Sequence, residues 1–261
     1  MEILEGRISV LAALRARSRR FEVILLKHGM HREAEEVAEI TAIAEMLQIP
    51  IKLCDLRELD SMAHGLSHGG VLARVSPVAR WTVGEIAHKL QSASHAPLLV
   101  LLEGVDDARN LGFVIRTAEA MGVDALLVKK HLWDLDPTEI ARPASGAYER
   151  LPLVQVQEIS ELKEIKKLGV RFYGCLAKAK RTMHDIKLAG PSLIAIGGEK
   201  RGLSGAMREV CDRLITIPTL GGASSLSLSH ASAIVIAEAA RQRRSPAQAI
   251  STEDAVEESQ E

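Results

Sequence analysis

The sequence predicts an α/β protein in two parts: a small α/β unit, then a larger domain built on an open parallel sheet. Two observations carry this expectation. The run PLLVLLEG (97–104) is apolar almost throughout and is bounded by Pro and Gly, as in a strand buried on both faces of a parallel sheet. Beyond it, short apolar runs alternate with helical spacings up to residue 243, the pattern of a chain that crosses between parallel strands through helices.

Taken in order, Phe21–Leu25 is the first expected strand. A helix is predicted over Arg32–Leu47, where Ala34, Val37, Ile40, Ile43, Ala44 and Leu47 form one stripe with acidic residues between them. Ile51–Cys54 follows Pro50 as a short strand, and Gly70–Val75 follows the Gly69-Gly70 turn as another. Ser76–Ser94 reads as a connector with one helix of its own. After the Pro97 strand, a helix is expected over Asn110–Met121, with Gly122 placed to end it in a left-handed cap. Strands are then expected at Val123–Val128, Leu151–Val156, Val170–Cys175, Ser192–Ile196 and Leu214–Ile217. The last helix is expected over Leu228–Arg241. The resulting division is 1–75 for the small unit, 76–96 for a linker, 97–243 for the larger domain and 244–261 for a disordered acidic tail.

The 261 residues are 47% hydrophobic, enough for a sizeable core, yet only 3% aromatic, so Leu, Ile, Val and Ala must fill it. That scarcity argues against a platform of exposed rings on which bases stack. A net charge of −1 means that any nucleic-acid site must come from local basic clusters. Cys54, Cys175 and Cys211 lack CxxC spacing, which suits free thiols in a reducing cytoplasm; no metal site is expected. No signal-peptide pattern or membrane-spanning run is evident, so the expected location is cytoplasmic.

The glycines indicate where a ligand sits. A dinucleotide-binding domain carries its glycine-rich turn after the first strand, but here that turn reads GVDDARNLG and lacks GxGxxG. The glycine-rich turns come late: Gly197, Gly198 and Gly202 after the Ser192 strand, and Gly221-Gly222 after the Leu214 strand. Glycines at strand ends let a ligand approach the backbone, so these loops predict a cofactor held by main-chain groups.

Three segments then resemble one family. The run NLGFVIRTA (110–118) resembles the first motif of the SpoU branch of the knotted SPOUT RNA methyltransferases, NxGxxxRTA. GEKRG (198–202) resembles the second, and Ile217–Gly221 with SLSLSHA (225–231) resembles the third. The resemblance covers about 97–243; residues 1–75 more loosely resemble a ribosomal-protein-like RNA-recognition domain. It implies S-adenosylmethionine-dependent methylation of ribose 2′-hydroxyls in RNA, a deep trefoil knot near the C-terminus and a homodimer. It implies catalytic-site roles for Asn110, Arg116, Glu199, Ser225 and Ser227, and cofactor contacts from Gly197, Gly198, Gly202, Ile217, Leu220, Gly221 and Leu226.

The residues leave several roles open. Arg116 is a phosphate clamp, a clamp that also removes the 2′-hydroxyl proton as the resemblance implies, or a structural ion pair. A guanidinium normally stays protonated, but its fork matches two phosphate oxygens. Asn110 is a helix cap alone, or a cap that also faces the site. Glu199 is an ion-pair partner of Lys200 or Arg201, or a positioning group. Ser225 and Ser229 are candidate caps of the last helix. Ser227 departs from the family pattern, which has Asn there, and a hydroxyl lacks the amide's paired donor and acceptor.

The basic runs at Arg15–Arg20 (including Arg19 and Arg20) and Lys178–Arg181 (including Lys180 and Arg181) are either solvated faces or a path for RNA backbone, with Arg142 a further candidate contact. The small N-terminal unit favours ribosomal RNA over tRNA as partner. The alternatives are a tRNA 2′-O-methyltransferase, an RNA-binding member weakened by Ser227, and a nucleotide-dependent α/β enzyme.

Overall fold

A computed structural model describes residues 1–30, 35–64, 68–129, 134–221 and 225–244. The start of the helix expected over Arg32–Leu47, Gly222 and the tail from residue 245 lie outside the described residues.

The first unit runs β1 (Glu2–Glu5), α1 (Arg7–Ala16), β2 (Phe21–Lys27), α2 (Glu35–Met46), β3 (Ile51–Cys54), α3 (Leu56–Met62) and β4 (Val71–Val75). Its sheet has the order β1-β4-β2-β3, antiparallel except for β2 with β3. β1 and α1 were not anticipated. In α1, six consecutive residues from Ser9 to Leu14 are buried, so it shows no polar stripe from which helical spacing is read.

The second unit runs β5 (Trp81–Thr82), α4 (Val83–Gln91), β6 (Leu98–Leu102), α5 (Ala108–Ala120), β7 (Ala125–Lys129), α6 (Pro137–Ala144), α7 (Ala147–Arg150), β8 (Leu153–Val156), α8 (Lys163–Lys166), β9 (Arg171–Cys175), β10 (Arg181–Thr182), β11 (Ser192–Ile196), α9 (Gly205–Val210), β12 (Arg213–Thr216) and α10 (Leu228–Arg243). Its eight strands are all parallel, in the order β10-β12-β9-β11-β6-β7-β8-β5. The segment 76–96 does carry its expected helix, and it also supplies β5, which pairs with β8. That segment is built into the sheet rather than only joining two parts.

Every residue of β6 and β11 is buried, as their unbroken apolar runs require. Alternate side chains go to opposite faces. Leu98, Val100, Leu102, Ile194 and Ile196 meet α5 and α10 on one side; Leu99, Leu101, Leu193 and Ala195 meet the layer containing α4 and α9 on the other. α5 ends as expected: Gly122 has φ 73°, and the Val123 amide donates to Ala118 O at 2.9 Å. α5 and α6 pack tightly at Gly112, where a Cβ would lie 2.4 Å from Pro143 and 2.5 Å from the Ile140 carbonyl.

The first core continues into the N-terminal unit through α1 and α7, and a buried ion pair fixes that junction. The Arg19 guanidinium, 2% exposed, donates to both Glu149 oxygens and at 2.7 Å to Glu2. It also lies 5.7 Å from the Tyr148 ring centroid. Arg19, expected on a basic run that is either a solvated face or a path for RNA backbone, is instead shut inside the molecule. Its charge is committed to two carboxylates, so it offers nothing to an RNA backbone. No helix among the described residues is long and apolar enough to cross a membrane.

Candidate active site

The carboxyl ends of β9, β11 and β12, neighbours in the sheet, open into a cleft of about 830 Å³. In open parallel sheets ligands bind outside the carboxyl ends of strands. The loop after β11 forms one wall. Gly198 and Gly202 pair as an isolated bridge, with the Gly202 amide donating to Gly198 O at 2.8 Å. The loop folds back so closely that a Cβ on Gly197 would fall 2.0 Å from the Gly202 carbonyl carbon. Gly198 also touches the chain leaving β6, where a Cβ on Gly104 would stand 3.1 Å from its Cα. Only glycine fits this cradle, whose inner surface is therefore backbone.

Glu103, just after β6, anchors the far end of the loop. It is buried, accepts from Lys129 Nζ at 2.6 Å, and accepts from the Ser204 hydroxyl and amide at 2.6 and 2.7 Å. Burial works to raise its pKa, but the hydrogen bonds from Lys129 and Ser204 outweigh it and hold the carboxyl below its usual range. Sequence reasoning passed over Glu103, although an acid closing a wholly apolar strand was a visible signal.

The structure brings Gly197, Gly198, Gly202, Glu199, Ile217, Ser225 and Leu226 to this one cleft. Leu220 and Gly221 do not line it: Leu220 is fully exposed on the loop after β12. Glu199 is not held by Lys200, which lies 3.7 Å from Asp106. Its Oε1 accepts from the Leu228 amide at 2.9 Å, placing a carboxylate at the positive end of α10. Ser227, rather than Ser225 or Ser229, caps α10: its Oγ lies 3.5 Å from the His230 amide and 2.6 Å from His230 Nδ1.

Asn110 and Arg116 stand on α5, outside the cleft lining. Asn110 is not the cap. Asp107 is, accepting from the Arg109 amide at 2.7 Å, and Asn110 lies half-buried within the first turn. Arg116 is exposed and makes no ion pair among the described residues, which removes the structural ion-pair reading. The opposite wall, Cys175–Ala177 at the end of β9, was missed, because nothing in the sequence says that β9 lies between β11 and β12. Burial pushes the Cys175 thiol up to about 12, so it stays protonated as part of the apolar wall.

Lys178, Lys180 and Arg181 are exposed, and their run begins one residue beyond Ala177 of the cleft. Arg20 is exposed near the junction of the units, and Arg142 lies on α6, 4.0 Å from Glu5.

Comparison with known proteins follows this geometry. A family model described as the SpoU rRNA Methylase family matches residues 97–237, and one for RNA 2′-O ribose methyltransferase substrate binding matches residues 3–81. The 23S rRNA (guanosine-2′-O-)-methyltransferase RlmB of Pseudomonas aeruginosa is 35% identical over 93% of this chain and 97% of its own. RlmB of Vibrio vulnificus is also 35% identical, over the same shares. Among solved structures, the SpoU methyltransferase AviRb from Streptomyces viridochromogenes, in complex with AdoMet, superposes with a TM-score of 0.76 at 23% identity. That match covers 92% of this chain and 90% of AviRb. An AdoMet-bound rRNA methyltransferase from Sinorhizobium meliloti gives 0.77 at 20% identity, covering 93% and 88%.

Proposed function

Since the chain belongs to the SpoU rRNA methylase family, we propose that it uses S-adenosylmethionine to methylate the ribose 2′-hydroxyl of a guanosine in 23S ribosomal RNA. The observation that carries this reading is the single cleft that the second and third motif segments build at the carboxyl ends of β11 and β12.

The donor fits this cleft on two grounds. Gly197, Gly198 and Gly202 line the cleft with backbone and no side chain, and Leu176, Ile196, Ile217 and Leu226 give apolar walls for a flat ring. When bound, S-adenosylmethionine supplies an electrophilic methyl group on a sulfonium. Glu199, fixed at the start of α10, places a negative charge at the cleft's edge and holds the third motif against the second. Arg116, free of internal partners among the described residues, clamps the phosphate beside the target ribose, and so holds in place the phosphate oxygen to which the 2′-hydroxyl proton passes. Asn110 orients the same ribose. Lys180 and Arg181, exposed a few residues beyond Ala177 of the cleft, and Arg20 steer the RNA backbone.

Residues 1–75 act as the RNA-recognition part and 97–243 as the methyltransferase part. Ribosomal RNA is favoured over tRNA by the 35% identity, over 93% of this chain, to the 23S rRNA methyltransferase RlmB. The enzyme acts in the cytoplasm. Membership of the family, matched over residues 97–237, implies a trefoil knot made by the C-terminal segment. A homodimer is supported by Phe113 and Ile234, left exposed on the paired helices α5 and α10, and by exposed Met121 just after α5.

Purified protein with a methyl-labelled donor and ribosomal RNA lacking the mark tests the reading. Label is expected in one 2′-O-methylguanosine of 23S RNA. Transfer to a base atom, or to no RNA, would defeat it, and a monomer in sedimentation velocity would remove the dimer.

A further inference from the structure

The two units meet along a second depression, open to solvent and enclosing about 750 Å³, lined by Glu5, Gly6, Arg7, Ser9, Gly69 and Arg142 among others. Its chemistry is divided. At one end lies Glu5, whose side chain is 1% exposed. Its Oε1 accepts from the His64 amide at 2.6 Å and lies 3.2 Å from His64 Nδ1. Its Oε2 has no hydrogen-bond partner among the described residues, and Arg142 Nη2, at 4.0 Å, stands beyond hydrogen-bond range. A buried carboxylate oxygen left unfilled is costly, and Glu5 is one of the residues that line the depression.

At the other end α1 begins. Gly6, with φ 86°, precedes it with no side-chain cap, and no acidic residue stands in its first turn. Arg7 and Arg142 add two cations at that edge. Unbonded helix amides beside cations favour an anion.

We propose that this depression holds one unstacked nucleotide of the RNA. Its phosphate sits at the start of α1 between Arg7 and Arg142, and an exocyclic amino group of its base donates to Glu5 Oε2. The inference rests on the RNA methyltransferase reading and adds the base chemistry selected at the junction of the units. Guanine, adenine and cytosine each carry an amino group. Uracil offers only an N–H flanked by two carbonyl oxygens, which a carboxylate repels, so uridine is the nucleotide excluded.

Fluorescence anisotropy with four RNA 12-mers, all uridine except for a central G, A, C or U, tests this on the full chain. The three amino-bearing oligomers are expected to bind about tenfold more tightly than the all-uridine one. Glu5→Gln is expected to bring all four within about twofold, while titration with S-adenosylmethionine shows unchanged donor affinity and so an intact fold. Arg142→Gln, a surface change, is expected to weaken all four alike and to flatten their salt dependence. A wild-type protein that binds the four equally, or a preference that survives Glu5→Gln, overturns the inference. Methyl transfer to ribosomal RNA run in parallel separates the failures: transfer with flat 12-mer binding removes the nucleotide site alone, whereas no transfer removes the reading beneath it.

Discussion

Arg116 separates what motif and geometry each contribute. The motif places it on α5, and the structure leaves its guanidinium exposed, with no ion pair among the described residues. The role proposed for it is toward the substrate. Lysine keeps the charge and loses the planar fork, so Arg116→Lys is expected to lower methyl transfer about a hundredfold, the scale of a misplaced reacting group. Donor affinity is expected to stay within about twofold, because Arg116 does not line the cleft proposed for the donor. Single-turnover transfer and calorimetry measure the two, and a full rate in the variant would remove Arg116 from the chemistry. Arg19 is the opposite case. Its sequence neighbours suggested a basic face, but its partner Glu149 lies 130 residues away, and no local pattern reports such a pairing.

At the scale of elements, β3 and β11 were readable to the residue, because Pro50 and Asp55 bracket the first and Pro191 and Gly197 the second. The end of α5 was legible for a different reason: Gly122 supplies a left-handed backbone that other residues rarely adopt. α1 and the two-residue strands β5 and β10 were not legible. The first is buried around most of its circumference, and the others are too short to show a period. For the site, the glycine loop and the third motif were legible, whereas the β9 wall depends on strand order and Glu103 on partners from β7 and the loop before α9. α10 offers a test of its own. Hydrogen bonds from Arg241, joined by one from Gln242 and opposed by burial, lower the Glu238 carboxyl from 4.5 to about 2. A depressed folded-state pKa contributes stability above about 4.5 that is lost as pH falls toward about 2. Urea midpoints are therefore expected to fall less steeply over that window in Glu238→Gln than in the parent; equal slopes would mean that the carboxylate is not so held.

For the whole molecule, the junction between the units is a packed core pinned by a buried charge pair, not a flexible joint. Arg19→Met strands the Glu149 carboxylate, 1% exposed, and is expected to cost about 3–5 kcal/mol in urea unfolding, the range for breaking a buried pair from one side. Arg19→Met with Glu149→Leu is expected to recover most of that loss, and a double variant as unstable as the single one would show that packing, not charge, dominates there. The far end of α10 is pinned as well: the Arg243 guanidinium donates to the carbonyls of Ala96, Leu188 and Gly190, at the opposite rim of the large sheet from the cleft that Leu228 lines. At 1.5 Å per residue this helix is a strut of about 24 Å. A fluorophore coupled at Arg244, replaced for that purpose by cysteine, would ride at a fixed separation from the cleft, a ruler against which an arriving RNA could be ranged by energy transfer.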